Sequence, residues 1–181
     1  LLDIGANIVL TDINKENLYK TEKVLKDYKN DANIHCFEMD VTNKKQIIKT
    51  KEDLKNENIY VNILINNAAI DPKVNNERSL DKSSRLENFS LEQWNQELSV
   101  GLTGSFLCSQ VFGSEMANNH GGVILNIASD LSVISPDQRL YRNEALSEDK
   151  QPVKPVTYSV IKSGIIGLTR YLSTYWAEGN V

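Results

Sequence analysis

The sequence predicts an α/β fold in which a parallel β-sheet lies between two layers of helices. Short β-branched or apolar segments alternate with longer amphipathic segments along the whole chain. Two short segments, residues 61–65 and 123–127, are almost entirely apolar, as expected of strands buried on both faces of a parallel sheet. Strands that alternate with helices of about a dozen or more residues are typical of βαβ crossovers, which place the strands in parallel.

Polar residues mark the junctions of the first two strand–helix units. Asp12 ends the first strand, and Asn14 suits the N-cap of the next helix because its side chain can accept hydrogen bonds from the first turn. Asp40 ends the second strand, and either Thr42 or Asn43 can cap the second helix. The predicted strands here are residues 8–11 and 34–39, and the predicted helices are residues 14–29 and a segment that begins near residue 43.

The second half of the chain begins with the apolar strand at residues 61–65 and continues with a long helix. Ser90 followed by Gln93 is typical of a helix N-terminus, and apolar positions extend this helix to about Met116. Gly121 and Gly122 then break it. The remaining predicted elements are a strand at residues 123–127 and a helix at residues 158–176, which Gly179 is expected to end.

Two long connections interrupt this alternation, residues 71–88 and 131–156. Connections of this length inside a compact domain are usually functional or disordered. Both follow the carboxyl ends of predicted strands, where ligands bind in open α/β sheets. We therefore expect the site at this edge of the sheet.

The composition is typical of a globular domain, with 40% apolar and 24% charged residues and a mean hydropathy of -0.37. The net charge of -4 argues against general nucleic-acid binding, which needs clustered Lys and Arg. No targeting segment is visible and no apolar run approaches the ~20 residues that span a bilayer, so we expect a cytoplasmic protein without a membrane partner. Cys36 and Cys108 suit a reducing compartment, and no Cys/His spacing predicts a metal site.

Tyr158 and Lys162 are the strongest candidates for catalysis. They are four positions apart at the start of a predicted helix, so they share one helix face. A lysine ammonium near a phenol favours the phenolate, which can then act as a base nearer to neutral pH. Ser129, at the end of the fourth strand, could hydrogen-bond a substrate oxygen, which completes a proton-transfer device for an alcohol and a carbonyl. An isolated Tyr-x-x-x-Lys is more often a surface pair, so its context decides the interpretation.

That context resembles the short-chain dehydrogenase/reductase family. The matching segments occur in the family's order and cover the chain from end to end. They are Thr11-Asp12, Asp40-Val41, Asn66-Asn67-Ala68-Ala69, Asn126-Ile127-Ala128-Ser129, and Tyr158 with Lys162. The resemblance implies a Rossmann-like doubly wound parallel sheet, one NAD(P)-binding domain over residues 1–181, and an oxidoreductase. It implies Ser129, Tyr158 and Lys162 as the catalytic residues.

The same resemblance implies a cofactor site. Asp12 would accept hydrogen bonds from the adenosine ribose, and because a carboxylate repels a 2′-phosphate, we expect NAD rather than NADP. Alternatively, Asp12 only caps the turn between strand and helix. Asp40 and Val41 would contact the adenine, and Ala69 replaces a usual glycine. The implied cofactor-binding residues are Asp12, Ile13, Asp40, Val41, Asn67, Ala68, Ala69, Tyr158 and Lys162.

The sequence departs from the family pattern in three places. Gly101 replaces an asparagine that helps to hold a proton-relay water, and we expect a water to fill the space and the relay to be altered. Ser129 and Tyr158 are 29 positions apart, more than is usual in the family, so residues 131–156 are an insertion over the active site. The glycine-rich turn for the pyrophosphate is absent, so the register predicts a domain incomplete at both ends, with a strand missing before Leu1.

The insertion predicts a polar substrate. Its charged residues include Asp137, Lys150 and Lys154, and its arginines Arg139 and Arg142 suit bidentate recognition of a carboxylate or phosphate. Ser129, Arg139 and Arg142 are therefore the candidate substrate contacts, unless the insertion is only a solvated charged loop.

The insertion and the last helix resemble a narrower branch, that of flagellin modification protein A and related bacterial surface-glycan oxidoreductases. This implies a sugar or nucleotide-sugar substrate on the path to a nonulosonic acid. The family resemblance also implies a homodimer or homotetramer through the helices at residues 94–116 and 158–176. The rival interpretation is a dinucleotide-binding regulatory or assembly subunit without turnover, which Gly101 favours and the intact Ser129, Tyr158 and Lys162 oppose.

Overall fold

Parallel strand pairs form the centre of each half of the molecule. The computed structural model describes residues 1–70 and 84–181, which divide into two compact units, Leu1–Tyr60 and Val61–Val181. Strand β1, Ile8–Asp12, pairs in parallel with β2, Ile34–Glu38, in the first unit. Strand β3, Ile63–Asn66, pairs in parallel with β4, Val123–Asn126, in the second. The prediction of a single domain over residues 1–181 stays a prediction.

The helices of the first unit begin where the sequence predicts. Helix α1 covers Lys15–Tyr28, and the Asn14 side chain accepts hydrogen bonds from the first-turn backbone N–H groups. Helix α2 covers Lys44–Asn56, and of the two proposed caps Asn43 takes this role. Each asparagine satisfies N–H groups that have no partner inside the helix.

A long helix over residues 91–118 packs on β3 and β4, but it is less regular than predicted. Its α-helical segments are α3 (Leu91–Leu98), α4 (Ser105–Cys108) and α5 (Ser114–Asn118), joined by π-helical turns at Ser99–Gly104 and Ser109–Gly113. Ser90 caps its start as predicted. The π-turns contain three glycines, Gly101, Gly104 and Gly113, which favour the α-helix least after proline.

Burial of β3 and β4 on both faces stays a prediction. Side chains alternate between the two faces of a sheet, and one face of this pair is open, with Ile63 49% and Val123 57% exposed. Ile65 and Leu125 share this exposed set. Among the described residues, only the other face is covered, because the long helix lies there. The apolar runs therefore predicted the strands correctly.

The last helix, α6, covers Val156–Tyr175 and begins two residues earlier than predicted. Pro155 precedes it with an extended backbone, and proline is well tolerated at helix starts because it has no N–H to leave unpaired. Gly179 does not end the helix, since it lies in a separate 3₁₀ turn, Ala177–Gly179.

The insertion at residues 131–156 is held by its own polar contacts. Gln151 Nε2 donates to the carbonyls of Asn143 and Leu146 at 2.9 and 2.7 Å. Ser163 of α6 donates to the Ser132 carbonyl at 3.1 Å, which ties the insertion to the helix. Most of the other long connection, residues 71–83, lies outside the described residues. None of the helices in the described part of the chain has the length and apolar character that crossing a membrane requires.

Candidate active site

Tyr158 and Lys162 lie on the first turns of α6, and the structure brings them together as predicted. The Lys162 ammonium lies 5.7 Å from the centre of the Tyr158 ring. Lys162 is only 9% exposed, and its Nζ donates a hydrogen bond of 2.6 Å to the carbonyl of Ile127, directly after β4. A buried ammonium needs acceptors, so this contact fixes Lys162 at the carboxyl end of the strand.

Ser129 is placed near the same helix, but its hydroxyl has another partner. Its Oγ donates to Asp130 Oδ1 at 2.8 Å and accepts from the Leu131 N–H at 3.2 Å. The 3₁₀ turn Asp130–Ser132 follows directly. The proton of Ser129 is thus directed to Asp130 instead of Tyr158, and the hydroxyl must rotate before it donates to a substrate oxygen.

A network of side-chain amides joins the carboxyl ends of β3 and β4 to the helices. Asn66 Nδ2 donates to Asn126 Oδ1 at 2.8 Å and to Ser109 Oγ at 3.0 Å. Asn126 Nδ2 in turn donates to Thr169 Oγ1 of α6 at 2.9 Å. The strand ends are therefore held against α6, which places the Ile127 carbonyl within reach of Lys162.

Gly101, where the sequence suggests that a water could replace a missing asparagine side chain, packs directly against Ile161. A Cβ atom at this position would lie 2.8 Å from Cγ2 and 3.2 Å from Cδ1 of Ile161, so apolar atoms already fill this space. Both residues are buried. The long helix and α6 therefore pack more closely here than an asparagine would permit.

One buried polar contact beside Tyr158 was missed by the sequence analysis. Glu97 of α3 is 3% exposed, and its carboxylate accepts hydrogen bonds from the Thr157 hydroxyl and, at 2.9 Å, from Gln93 Nε2. Glu97 follows Trp94 at the spacing of an apolar helix face, and a charged residue there is the signal that could have found it. The contact joins α3 to the residue directly before Tyr158.

The segment after β3 suits the approach of a cofactor. Asn67, Ala68 and Ala69 are exposed, and two of them have small side chains that leave the backbone accessible. Within the described residues, the buried Lys162 ammonium has one hydrogen-bond acceptor and three protons to donate. These residues of the second unit fit the hydroxyl-rich nicotinamide ribose of NAD(P).

The first unit holds the other predicted cofactor residues. Asp12 Oδ1 accepts from the Asn14 N–H at 2.7 Å, so Asp12 does shape the turn after β1. Asp40 Oδ1 likewise accepts from the N–H and hydroxyl of Thr42, both at 2.8 Å. The neighbouring Ile13 is exposed and Val41 is half-buried. Only one oxygen of each carboxylate is engaged among the described residues, so each retains an acceptor.

A family model decides what kind of protein this is. The model described as short chain dehydrogenase matches residues 1–141. The chain belongs to the short-chain dehydrogenase family. Two relatives of this family member are the NAD-dependent glycerol dehydrogenase of Listeria innocua and the D-threitol dehydrogenase of Mycolicibacterium smegmatis. The first is 30% identical over 177 residues, and the second is 25% identical over 178 residues.

The chain spans 58% of the length of the glycerol dehydrogenase and 57% of that of the threitol dehydrogenase, while the matches cover 98% of the chain itself. Solved structures confirm the Rossmann-like α/β fold. A putative short-chain alcohol dehydrogenase from Sinorhizobium meliloti 1021 has a TM-score of 0.75 at 25% identity, covering 97% of this chain and 59% of that one.

Two further solved structures were determined with dinucleotides. An NAD⁺-bound xylitol dehydrogenase gives a TM-score of 0.79 at 21% identity, covering 99% of this chain and 58% of that one. A gluconate 5-dehydrogenase from Burkholderia cenocepacia J2315, in complex with NADP and tartrate, gives a TM-score of 0.75 at 22% identity. The match covers 98% of this chain and 58% of that one. The family uses both dinucleotides, so these structures leave the choice between NAD and NADP open.

The arginines that the sequence proposes for substrate binding are engaged within the insertion of this short-chain dehydrogenase. Arg139 pairs with Asp137, with an Nη2–Oδ2 distance of 2.7 Å, and Arg142 pairs with Glu148. This pairing lowers the pKa of Asp137, mainly through its side-chain hydrogen bond with Arg139. Both arginine side chains are exposed, and their role in substrate binding stays a prediction.

The two cysteines do not form a reactive site. Cys108 is buried in the long helix, and burial raises the pKa of its thiol to about 11. Burial also raises the pKa of the Cys36 thiol, and the nearby Glu22 carboxylate raises it further. In the described ranges, no group of three or more His, Cys, Asp or Glu residues is placed to hold a metal ion.

Proposed function

We propose that the full-length protein is an NAD-dependent oxidoreductase that interconverts a secondary alcohol and a ketone. The observation that carries this proposal is the pair Tyr158–Lys162, with the Lys162 ammonium anchored on the Ile127 carbonyl at the end of β4. In open α/β sheets, ligands bind beyond the carboxyl ends of the strands. Ser129 lies two residues after Ile127, beyond the same end of β4.

The chain's own residues manage protons and orientation. The Tyr158 phenolate accepts the proton of the substrate hydroxyl during oxidation, and the resulting phenol returns it during reduction; the Lys162 ammonium favours the phenolate form. Ser129, once turned away from Asp130, donates a hydrogen bond to the same substrate oxygen. When bound, NAD would supply the hydride acceptor. Lys162 would also hold the nicotinamide ribose, and Asp12 would disfavour the 2′-phosphate of NADP.

The proposed substrate is a polyhydroxylated compound. The relatives and neighbours are named for glycerol, D-threitol, gluconate and xylitol, all of which carry several hydroxyl groups. Within this class, the charged insertion supports the narrower hypothesis of a sugar or nucleotide sugar in bacterial surface-glycan synthesis of the flagellin-modification type. Arg139 and Arg142 would meet its charged groups if their present ion pairs open.

The proposal includes a cytoplasmic homodimer or homotetramer formed through the long helix and α6. Exposed apolar side chains on these helices support it: Phe106 and Val160 are partly exposed, and Tyr171 and Tyr175 are largely so. Tyr171 and Tyr175 stack on each other with ring centres 5.4 Å apart. A second subunit would remove this aromatic surface from water.

A second candidate function is dinucleotide binding without turnover, in a regulatory or assembly subunit. The packing of Ile161 against Gly101 favours it, because apolar atoms occupy the place of a proton-relay residue. The intact Ser129, Tyr158 and Lys162 argue for catalysis.

Turnover measured by NADH absorbance separates the two functions. Full-length protein is incubated with NAD or NADP and a panel of polyols, sugar acids and nucleotide sugars, and dinucleotide binding is measured in parallel by calorimetry. We expect NAD-dependent oxidation of at least one polyhydroxylated compound. Clear NAD binding without turnover across the panel would instead support the binding subunit, and absence of dinucleotide binding would contradict both.

A further inference from the structure

We infer that Lys154, in the insertion, is a second positioning residue for Tyr158, whose ammonium stabilises the tyrosine phenolate from the ring face. This inference rests on the proposed function, in which Tyr158 exchanges the proton of the substrate. Lys154 precedes Tyr158 by four positions, as Lys162 follows it by four. Two lysines therefore serve one tyrosine, and one of them belongs to the insertion.

The geometry of the contact is close. The Lys154 Nζ atom lies 3.6 Å from the centre of the Tyr158 ring, whereas Lys162 Nζ lies 5.7 Å from it. An ammonium over an aromatic face within about 6 Å is attracted by the ring electrons. The attraction grows when the hydroxyl loses its proton, because the ring then carries part of a full negative charge. Lys154 thus favours the phenolate more than the phenol.

The backbone of Lys154 is held in place by a distant part of the insertion. Gln138 Oε1 accepts from the Lys154 N–H at 2.9 Å, and Gln138 Nε2 donates to the Lys154 carbonyl at 3.3 Å. One amide side chain thereby satisfies both backbone groups of Lys154. Pro155 follows and fixes the entry into α6. The backbone of Lys154 is therefore fixed at a position from which its ammonium contacts the Tyr158 ring.

Other charges near this end of α6 come from each element packed against it. Lys162 lies on α6 itself, Asp130 lies in the 3₁₀ turn that begins after Ser129, and Glu97 on α3 is bound to Thr157. The insertion also contains two acid–base pairs, Arg139 with Asp137 and Arg142 with Glu148. Lys154 and Lys162 are the two cations in ring contact with Tyr158 in the described part of the chain.

The test measures the ionisation of Tyr158 without any turnover. Tyrosinate absorbance is followed against pH in full-length protein, and the titration of the Tyr158→Phe variant is subtracted to isolate Tyr158. We expect Lys154→Met to raise the midpoint by about one pH unit, as removal of an opposite charge at this range does. At a fixed pH below the midpoint, this is about a tenfold loss of phenolate. Lys154→Arg, which keeps the charge, should stay near wild type.

Two matched variants complete the test. Lys150→Met removes an exposed lysine of the same insertion and should leave the midpoint unchanged. Gln138→Ala releases the Lys154 backbone and should raise the midpoint by a smaller amount. If Lys154→Met fails to fold, the role of Lys154 is still tested by the other two variants: the midpoint should rise in Gln138→Ala and stay near wild type in Lys154→Arg.

The outcomes distinguish this inference from the proposed function. A midpoint in Lys154→Met equal to that of wild type, or an equal rise in Lys154→Arg, would overturn the role of Lys154. If the protein has a substrate, the acidic limb of its kcat/KM profile should move with the same midpoint. A shifted midpoint in a protein without turnover would uphold the Lys154 contact while the proposed function fails.

Discussion

Around Tyr158, the proposed proton transfer depends on single side chains, and at one nearby position, Gly101, the sequence departs from the family pattern. Ile161 occupies the space beside Gly101 that a larger side chain, such as the asparagine implied by the family resemblance, would need. The two residues are therefore complementary: the smallest residue on the long helix faces a branched residue on α6. If the proposed function holds, Tyr158 and Lys162 act beside apolar packing at this position, without an asparagine side chain.

We predict that Gly101→Asn destabilises the protein by about 1–3 kcal/mol, because the new side chain overpacks against Ile161. Urea unfolding midpoints measure the change. The double variant Gly101→Asn, Ile161→Ala should lose roughly 1 kcal/mol less than the sum of the two single variants, since each relieves the other. Strict additivity of the single effects would show that the two residues do not share this space.

Some residue roles follow from sequence and others do not. The Tyr158–Lys162 pairing is predictable, because four positions on a helix always share a face. Lys154 reaches the same ring only because Gln138, sixteen positions earlier, pins its backbone. The burial of Glu97 beside Thr157 likewise depends on how α3 meets α6. Contacts between segments that are distant in the chain produce no local sequence pattern, so the sequence does not predict them.

At the scale of elements, a hydrogen-bond network holds the carboxyl ends of β3 and β4 in position. Asn66 at the end of β3 donates to groups on β4 and on the long helix, and Asn126 extends the network to α6. This arrangement fixes the Ile127 carbonyl that accepts from Lys162. The position of Lys162 thus depends on a network of side chains that lie outside the Tyr158–Lys162 pair.

We predict that Asn66→Ala costs about 1–3 kcal/mol of stability, because it leaves the buried Ser109 and the half-buried Asn126 without this donor. The matched control is Asn67→Ala, the exposed neighbour, which should change stability by no more than about 0.5 kcal/mol. Thermal and urea unfolding check both. Equal effects at the two positions would contradict the role of the network.

The boundaries of elements were largely predictable, and their regularity was not. Asn14, Asn43 and Ser90 cap their helices because their short polar side chains reach the first-turn N–H groups, which is a local effect. The π-turns of the long helix contain glycines, but the apolar spacing alone predicted a regular helix through them.

At the scale of the whole molecule, the two units divide the predicted roles. Leu1–Tyr60 contains Asp12 and Asp40, which we propose for the adenosine end of the cofactor, and Val61–Val181 contains Ser129, Tyr158 and Lys162, which we propose for catalysis. In each unit, the candidate residues follow the carboxyl ends of parallel strands. This distribution was predictable from the order of the motifs, because such motifs follow strands wherever a parallel sheet forms.

We predict that Asp12→Asn weakens the preference for NAD over NADP by roughly tenfold or more, because it removes a negative charge close to the 2′-phosphate. The amide oxygen can still accept from the Asn14 N–H, so the turn after β1 should survive and the melting temperature should stay near wild type. Calorimetric titration with both dinucleotides gives the ratio. An unchanged ratio would leave Asp12 with its turn-capping role alone.

The activity of the Tyr158→Phe variant tests the central claim most directly. This change removes one hydroxyl and keeps the ring on which the Lys154 ammonium lies. In full-length protein with an identified substrate, we expect kcat to fall by roughly 10²–10⁴-fold, the usual contribution of a general acid–base group. A variant that retained full activity would contradict the account of Tyr158 as the proton-transferring residue.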